Sequence, residues 1–455
     1  DTDAIDNSAG VDTSDHEVNI KILFQPLVAS GRVSLPERDE LLKSMTPEVA
    51  DLVLRHNQAQ ALALSLAQRA SRDDLGLYAS LLDYLVEAAG LNPRVENLPG
   101  PRQIDERRRA GLGLTRPELA IMLAYVKMGL YRRLLETDLP LEPHMQHYLL
   151  EYFPKALQER FPAAISEHRL HREIVATVIT NTLVDQLGIA FVHRATRQNG
   201  ATPIEVVRAT LIALELLDAK SVREHLDARA NSIPTDAYYA AIEQLVGAVE
   251  GLVAWVLFND VGHGDFEAVV SAYRTPLHEL RSTLENYLPD SERERFESAV
   301  ADLEELGFEH EDAVQVSSFD YLADSVGIID VARQVGAPLD HVAERYYRVG
   351  ERLQLTSLRD VIESLPSSGQ WEEVALVGLV MDLRSVQRGL TATYLASKPD
   401  EADGVPAALD EFLKTAGGFK RYDLALSQLQ EPGVLDLASG SVLVRILEQA
   451  RTTAH

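Results

Sequence analysis

Apolar residues recur at three- and four-residue intervals along almost the whole chain, and this spacing restricts the fold more than any other feature of the sequence. It places the apolar side chains on one face of a helix, whereas a half-buried strand would need strict alternation, which is nearly absent. We therefore predict a mainly α fold with a large multi-helical domain. Between Pro47 and Ala70 the face is formed by Val49, Leu52, Val53, His56, Ala59, Leu62, Ala63 and Leu66.

Prolines, glycines and capping residues divide this pattern into separate helices. Pro36 and Pro47 each stand where a helix can begin, because proline is tolerated in the first helical turn. Thr115-Arg116-Pro117-Glu118 matches a capping box and predicts a helix that continues to Glu136. Further helices are predicted over residues 74–89, 168–187, 202–230, 234–258, 321–335, 339–353, 358–365, 371–395, 407–416, 423–429 and 439–450, with an acidic helix pair over 290–312 and a break over 90–113.

The composition narrows the class of protein. With 455 residues, 46% of them apolar, the chain can fill the cores of two or three domains. Its net charge of −27 repels phosphate backbones and anionic membrane surfaces, so we expect no nucleic acid and no membrane as partners. No apolar run of about 18 residues and no leader-like opening is present. The absence of cysteine excludes disulfides and fits a cytoplasmic location.

The opening residues differ from the rest because they also have features of a binding site. Asn7 and Ser8 are good N-cap residues, so a helix is predicted to begin at or near Gly10. The free N–H groups and the positive end of the dipole at a helix start attract small anions. Ser14 adds a hydroxyl one turn inside the helix, on the same face as Val11. These residues could therefore form a pocket for a carboxylate.

A purely structural interpretation of the same residues stays open. Asn7 and Ser8 can simply cap the helix, while the acidic side chains of Asp12 and Asp15 favour its dipole. From the residue types alone this is the commoner outcome, because helix caps far outnumber ligand sites.

Four stretches of the chain have sequences that are typical of one protein family. They are DAIDNSAGVDTSDHEVNIK (3–21), GLTRPELA (113–120), HRLHREIVAT (168–177) and Trp371 with QRGLT (387–391). The first resembles the stretch that closes the catalytic region of the large bacterial NAD-specific glutamate dehydrogenases, and the others resemble their C-terminal part. The resemblance covers essentially the whole chain. It implies an enzyme that uses NAD to oxidise L-glutamate to 2-oxoglutarate and ammonium, and that assembles as a homo-oligomer, with a tetramer expected.

The resemblance also assigns roles to three residues. NSAGVDTS (7–14) is similar to the Asn-Ala-Gly-Gly-Val-x-x-Ser segment of the small glutamate dehydrogenases. It implies that Val11 lines the pocket for the substrate side chain and that Ser14 binds the distal carboxylate. Asn7 would lie near the nicotinamide end of NAD. The sequence departs from that segment at Ser8-Ala9-Gly10, where the small enzymes have Ala-Gly-Gly.

The residues that would carry out hydride transfer cannot be assigned in this chain. A glutamate dehydrogenase needs a dinucleotide-binding βαβ unit, a lysine of lowered pKa and a carboxylate that moves protons. Gly111-Leu112-Gly113 lacks the third glycine of a nucleotide loop, and no strand precedes it. The chain does not begin with Met, so we expect a piece of a longer protein whose upstream residues supply the Rossmann-type α/β domain and every catalytic residue.

This interpretation divides the chain into three parts. Residues 1–31 would complete the catalytic domain, and residues 32–232 and 233–455 would form the two halves of a helical domain for oligomerisation or regulation. One alternative is a non-enzymatic acidic helical protein that acts as an interaction partner or scaffold. Another is a metal-dependent hydrolase that uses paired histidines.

The hydrolase alternative depends on two histidine pairs at helical spacing. They are His144 with His147 and His168 with His171. Neither pair has the His-Glu-x-x-His order of a zinc hydrolase, and the chain has no cysteine to complete a site. His16-Glu17 begins that motif but lacks its second histidine. We therefore predict no metal site.

Overall fold

The computed structural model of the protein describes residues 3–367, 369–416, 419–428 and 435–453. Every regular element in these ranges is a helix, which confirms the predicted mainly α fold. The helices pack into two units, Asp1–Arg194 and Ala195–His455. The limits at residues 31 and 232 concern the domains of the whole protein and stay a prediction.

In the first unit, the helices pack around the long helix α3, which contacts α2, α4 and α6. The bounds of the helices are α1 Asp3–Asp6, α2 Ser8–Ala29, α3 Leu35–Asp73, α4 Leu75–Ala89, α5 Pro101–Arg109, α6 Arg116–Leu135, α7 Gln146–Tyr152, α8 Lys155–Arg160, α9 Pro162–Ser166 and α10 His171–Asn181. Short 3₁₀ turns lie at Leu139–Leu141 and Pro143–Met145, and helix α11, Phe191–Asn199, spans the boundary between the units.

Helix α2 confirms the predicted helix at the start of the chain and begins at Ser8, two residues before Gly10. Pro26 lies inside this helix without ending it, and Gly31 follows its last turn with a φ of +72°. Only glycine adopts such a backbone conformation easily, which fits its place after a helix. The apolar side chains that anchor α2 are Ile20, Leu23, Phe24 and Leu27.

One long helix, α3, replaces the two helices predicted to begin at Pro36 and Pro47. Ser34 and Glu37 form a capping box at its start, so the signal at Pro36 is confirmed. The predicted start at Pro47 was wrong, because Pro47 lies inside the helix. Proline removes one backbone donor, but a helix can continue through it where the turns on both sides are packed. Here Met45 and Val53 are buried on either side.

The stretch GLTRPELA leads from α5 into α6, contacts Ser71 of α3 and contains the predicted capping box. The N–H of Thr115 donates to Glu118 Oε2 at 2.7 Å, which confirms the box. Arg107 of α5 donates to both oxygens of the same carboxylate, at 2.7 and 2.8 Å. A Cβ atom at Gly113 would lie 2.4 Å from Ser71 Oγ, so this junction requires glycine. The motif therefore has a packing function in this unit.

The helix predicted over residues 168–187 differs in part from the structure. Helix α10 ends at Asn181 and is followed by a π-helical turn, Thr182–Gln186. Asp185 in this turn is buried, and it accepts a hydrogen bond from Lys127 Nζ at 2.7 Å. Periodicity could not predict the turn, because the apolar spacing continues through it.

The second unit has the remaining helices, and most of their starts lie close to or within predicted segments. The helix Phe266–Ser282 was not predicted, and the helix Phe419–Gln428 begins before the segment predicted from residue 423. Their bounds are α12 Pro203–Leu217, α13 Ala219–Arg229, α14 Thr235–Phe258, α15 Phe266–Ser282, α16 Asp290–Glu305, α17 His310–Ser317, α18 Leu322–Val335, α19 Leu339–Arg352, α20 Leu355–Glu363, α21 Gln370–Ala396, α22 Val405–Ala416, α23 Phe419–Gln428 and α24 Leu437–Thr453. The predicted helix end at Leu429 lies outside the described residues.

Helix α14 is the most apolar long helix of this unit. By length and composition it could cross a membrane, but half of its most apolar window (50%) is buried inside the protein. It contacts α12, α13 and α18. This burial is typical of a core helix, which passes the same test of length and composition.

The two tryptophans of the chain have opposite environments in the second unit. Trp255 of α14 is 2% exposed and packs edge-on against Tyr273. Trp371, near the start of α21, is 82% exposed.

Candidate functional site

Helix α2 has one exposed face and one buried face, and the predicted substrate residues lie on the exposed face. Val11 is 53% exposed, and the next apolar residue on that face, Val18, is 51% exposed. Ser14 is also exposed, and its hydroxyl donates to the backbone oxygen of Val11 at 2.7 Å. Val11 and Ser14 thus lie side by side and are open to another molecule.

Asn7, the third predicted site residue, is the N-cap of α2. Its backbone oxygen accepts hydrogen bonds from the N–H groups of Gly10 and Val11 at 3.0 and 3.1 Å. Its exposed amide makes no capping hydrogen bond. A Cβ atom at Gly10 would lie 2.8 Å from Asn7 Oδ1. Gly10 therefore lets the Asn7 side chain fold over the first turn.

Ser8, where the sequence departs from the small enzymes, fixes this turn to α3. Asn57 Nδ2 of α3 donates to Ser8 Oγ at 2.6 Å and to the backbone oxygen of Ile5 at 2.8 Å. The buried Ser8 hydroxyl also donates to Ile5, at 3.2 Å. Ser8 therefore anchors the start of α2.

The buried face of α2 carries a chain of hydrogen bonds to helix α7. Tyr152 OH donates to Asp15 Oδ2 at 2.7 Å and accepts from Asn19 Nδ2 at 2.8 Å. His168 Nε2 lies 3.0 Å from the backbone oxygen of Asn19. Burial lowers the pKa of His168, which keeps its ring neutral near pH 7. These bonds orient the helix that presents Val11 and Ser14.

A second polar cluster, Asp12 with His16 and His56, lies between α2 and α3. Asp12 Oδ2 is 2.8 Å from His56 Nδ1, and Asp12 Oδ1 is 3.9 Å from His16 Nε2. The His16 ring stacks on Tyr152 with a centroid distance of 4.5 Å. It is 1% exposed, and neither of its nitrogens makes a hydrogen bond to a residue that the structure describes.

Two members of this cluster, His16 and Asp12, have altered pKa values. Burial lowers the pKa of His16, so its ring is neutral near pH 7. Burial would raise the pKa of Asp12, but the hydrogen bond and the charge of His56 outweigh it and lower that pKa. Asp12 is therefore an ionised carboxylate between two imidazoles.

Two family models match the chain. The model "Glutamate dehydrogenase, C-terminal" matches residues 111–449. The model "Bacterial NAD-glutamate dehydrogenase, catalytic domain" matches residues 1–67. The chain belongs to the glutamate dehydrogenase C-terminal family. The second match includes α2, so the helix with Val11 and Ser14 lies within the residues that match the catalytic-domain model.

The chain is also similar to curated relatives that are named NAD-specific glutamate dehydrogenase. The protein of Mycobacterium tuberculosis is 33% identical over 454 residues, which are 100% of this chain and 28% of that protein. The protein of Halomonas elongata is 33% identical over 394 residues, 87% of this chain and 24% of that protein. The protein of Pseudomonas aeruginosa is 31% identical over 458 residues, 100% of this chain and 28% of that protein. The chain thus spans about a quarter of the length of these dehydrogenases.

The paired histidines of the hydrolase alternative contact the backbone. His147 Nδ1 lies 2.7 Å from the backbone oxygen of His144, and His171 Nδ1 lies 3.2 Å from that of His168. These contacts are typical of histidines that stabilise local turns. The family gives this alternative no support, because the relatives are named as dehydrogenases.

The glutamate dehydrogenase motif QRGLT in α21 belongs to a buried polar network of the second unit. Gln387 Oε1 accepts from Arg359 Nη1 at 2.8 Å, and Gln387 Nε2 donates to the backbone oxygen of Tyr346 at 2.9 Å. Arg359 Nη2 donates to Asp324 Oδ2 at 2.9 Å. A Cβ atom at Gly350 would lie 2.6 Å from Gln387 Nε2. This network joins α18, α19, α20 and α21 and has a structural function.

Sequence reasoning did not find the cluster of Asp12, His16 and His56. It searched for a second histidine within the same helix as His16, whereas that histidine lies on α3. The available signal was the four-residue spacing of Asp12 and His16, which places both on one face of α2. His56 occupies a position in the periodic pattern of α3 and gave no separate signal.

Proposed function

We propose that the chain is the C-terminal part of an NAD-specific glutamate dehydrogenase, which converts L-glutamate, NAD and water to 2-oxoglutarate, ammonium and NADH. The family membership and the names of the relatives support this proposal. The observation that carries it is the two-faced helix α2. Its buried side is held by hydrogen bonds, while Val11 and Ser14 remain exposed on the other side.

In the proposed pocket, Val11 and Ser14 bind the side chain of glutamate. Val11 provides an apolar wall for the methylene groups, and the hydroxyl of Ser14 donates to the distal carboxylate. That hydroxyl now donates to its own helix, so binding requires rotation about one side-chain bond. A hydrogen bond to a charged group stabilises more than the neutral bond that it replaces.

Asn7 fits the carboxamide of NAD. Its exposed amide carries both donors and an acceptor, makes no capping bond and lies one turn from Val11. When bound, NAD accepts the hydride from glutamate. We assign no catalytic residue to this chain, and we place the lysine, the proton-transferring carboxylate and the Rossmann-type domain upstream of it.

The remaining helices are proposed to serve oligomerisation or regulation of a cytoplasmic enzyme, with residues 32–232 and 233–455 as two halves. We propose a homotetramer. Light scattering of the full-length protein tests this, because the measured mass should be four times that of one chain.

Replacing Ser14 tests the proposed pocket. In the full-length enzyme, we expect Ser14→Ala to lower kcat/KM for glutamate by about 10- to 100-fold, because it removes one hydrogen bond to a charged group, worth about 1.5–3 kcal/mol. The matched control is Thr13→Ala, at the exposed neighbouring position, which should leave kcat/KM unchanged. Equal kinetics for Ser14→Ala and the unaltered enzyme would remove Ser14 from the pocket.

A further inference from the structure

We propose that Asp12, His16 and His56 bind a zinc ion that joins helix α2 to helix α3. Asp12 and His16 are one turn apart on α2, and His56 faces them from α3. Each side chain offers one ligand atom, and these three atoms lie within 4.8 Å of one another. The proposal does not depend on the dehydrogenase activity.

The distances within the cluster fit tetrahedral zinc after a small movement. Ligand atoms at the usual bond lengths of about 2.0–2.1 Å are about 3.3 Å apart at the corners of a tetrahedron. The distances from the two oxygens of Asp12, 2.8 Å from Oδ2 to His56 Nδ1 and 3.9 Å from Oδ1 to His16 Nε2, lie on either side of this value. The three ligand atoms all lie within 4.8 Å of one another. Shifts of less than about 1 Å would bring all three atoms to one ion.

His16 provides the observation that points to a ligand. Its side chain is 1% exposed, and neither ring nitrogen has a hydrogen-bond partner among the described residues. Buried polar atoms normally have such a partner, because leaving one without it is costly. Tyr152 stacks on this ring with a centroid distance of 4.5 Å, and Asp12 Oδ1 lies 3.9 Å from His16 Nε2. A bound ion would leave only Nδ1 unpaired.

The donor set favours zinc over the common hard cations. Two imidazole nitrogens and one carboxylate oxygen suit zinc, whereas magnesium and calcium prefer sites made of oxygen atoms alone. Asp12 and His56 have side chains that are 25% and 38% exposed, which leaves a path from solvent. The ion would thus fix the orientation of α2 and of the Val11–Ser14 face.

Zinc titration of the full-length protein, expressed without a histidine tag and stripped with a chelator, tests this site. We expect one equivalent of Zn²⁺ to bind and to raise the Tm. His56→Ala and Asp12→Asn should each weaken binding of that equivalent by at least about 100-fold, since even partners outside the ligand shell contribute 10- to 100-fold. Co²⁺ in place of Zn²⁺ should give the visible absorption bands of a tetrahedral site.

The control is the double variant His147→Ala/His171→Ala, which removes two imidazoles outside the cluster. It should bind Zn²⁺ like the unaltered protein. The proposal is wrong if the unaltered protein binds no more Zn²⁺ than the His56→Ala variant does. It is also wrong if the control variant loses one equivalent of bound Zn²⁺ while the His56→Ala variant retains it. A Tm that rises equally with Zn²⁺ in all variants would also overturn it. Because none of these readouts uses glutamate or NAD, they are independent of the Ser14 test.

Discussion

Two sets of buried polar side chains, one in each unit, differ in their hydrogen bonds. In the second unit, Arg359 and Gln387 are almost fully buried, and each is hydrogen-bonded to named partners, including the carboxylate of Asp324. In the first unit, His16 is equally buried but has no hydrogen bond within the described part of the chain. A satisfied network stabilises one arrangement of helices, whereas an unsatisfied group is available to a ligand. The comparison therefore distinguishes a structural network in the second unit from a candidate site in the first.

Removing the charge from Arg359 should give the largest loss of stability. We expect Arg359→Met to lower the free energy of unfolding of the second unit by about 3–5 kcal/mol, because Asp324 is left as a buried charge without its main partner. Urea unfolding of the 455-residue chain, followed by the fluorescence of Trp255, measures this change.

The control for Arg359 is the exposed ion pair of Arg295 with Asp360, whose side chains are 52% and 47% exposed. Arg295→Met should change the free energy of unfolding by less than about 1 kcal/mol. Similar losses for both variants would contradict the view that the buried network holds the second unit together.

A glycine beside the same network should show how tightly it is packed. Gly350→Ala is expected to cost about 1–3 kcal/mol, because the new methyl group would meet Gln387, whose amide is held by hydrogen bonds and cannot move away freely. The matched control is Gly378→Ala in helix α21, where no atom lies within 4 Å of the added Cβ. That change should stabilise the helix by up to about 1 kcal/mol. If Gly350→Ala and Gly378→Ala both stabilised the protein, the network around Gln387 would be loosely packed.

His16 should tolerate an apolar replacement in the zinc-free protein. We expect His16→Leu to change the free energy of local unfolding by less than about 1 kcal/mol, because the ring has no hydrogen bond to lose. Amide hydrogen exchange of α2 and α3 measures this change. A loss as large as that of Arg359→Met would abolish the contrast between the two units.

Many helix starts were predictable because capping residues and prolines mark them, but α11 and α15 were not predicted. Asp74, Thr115 and Pro234 each precede a helix that begins at the next residue. Pro47 misled the prediction, since tertiary packing on both sides carries the helix through it. The π turn after Asn181 was also missed, because its residues keep the apolar spacing of an ordinary helix.

The site was predictable only where it lies along one helix. Val11 and Ser14 share a face by their spacing, and the structure leaves that face exposed, but their contact with glutamate stays a prediction. His56 could not be connected with His16 from the sequence, because the approach of α3 to α2 depends on tertiary packing. The three-dimensional cluster is therefore the part of the site that the structure adds.

The contrasting positions of Trp255 and Trp371 give this chain an internal pair of optical probes. The shielded indole should emit at shorter wavelength than the solvated one, and iodide should quench only the latter. Neither indole belongs to the first unit. Tryptophan emission from this chain will therefore report the unfolding of residues 195–455 and will not report unfolding around α2. A thermal scan that combines this emission with far-ultraviolet circular dichroism would thus reveal whether the two units unfold together or one after the other.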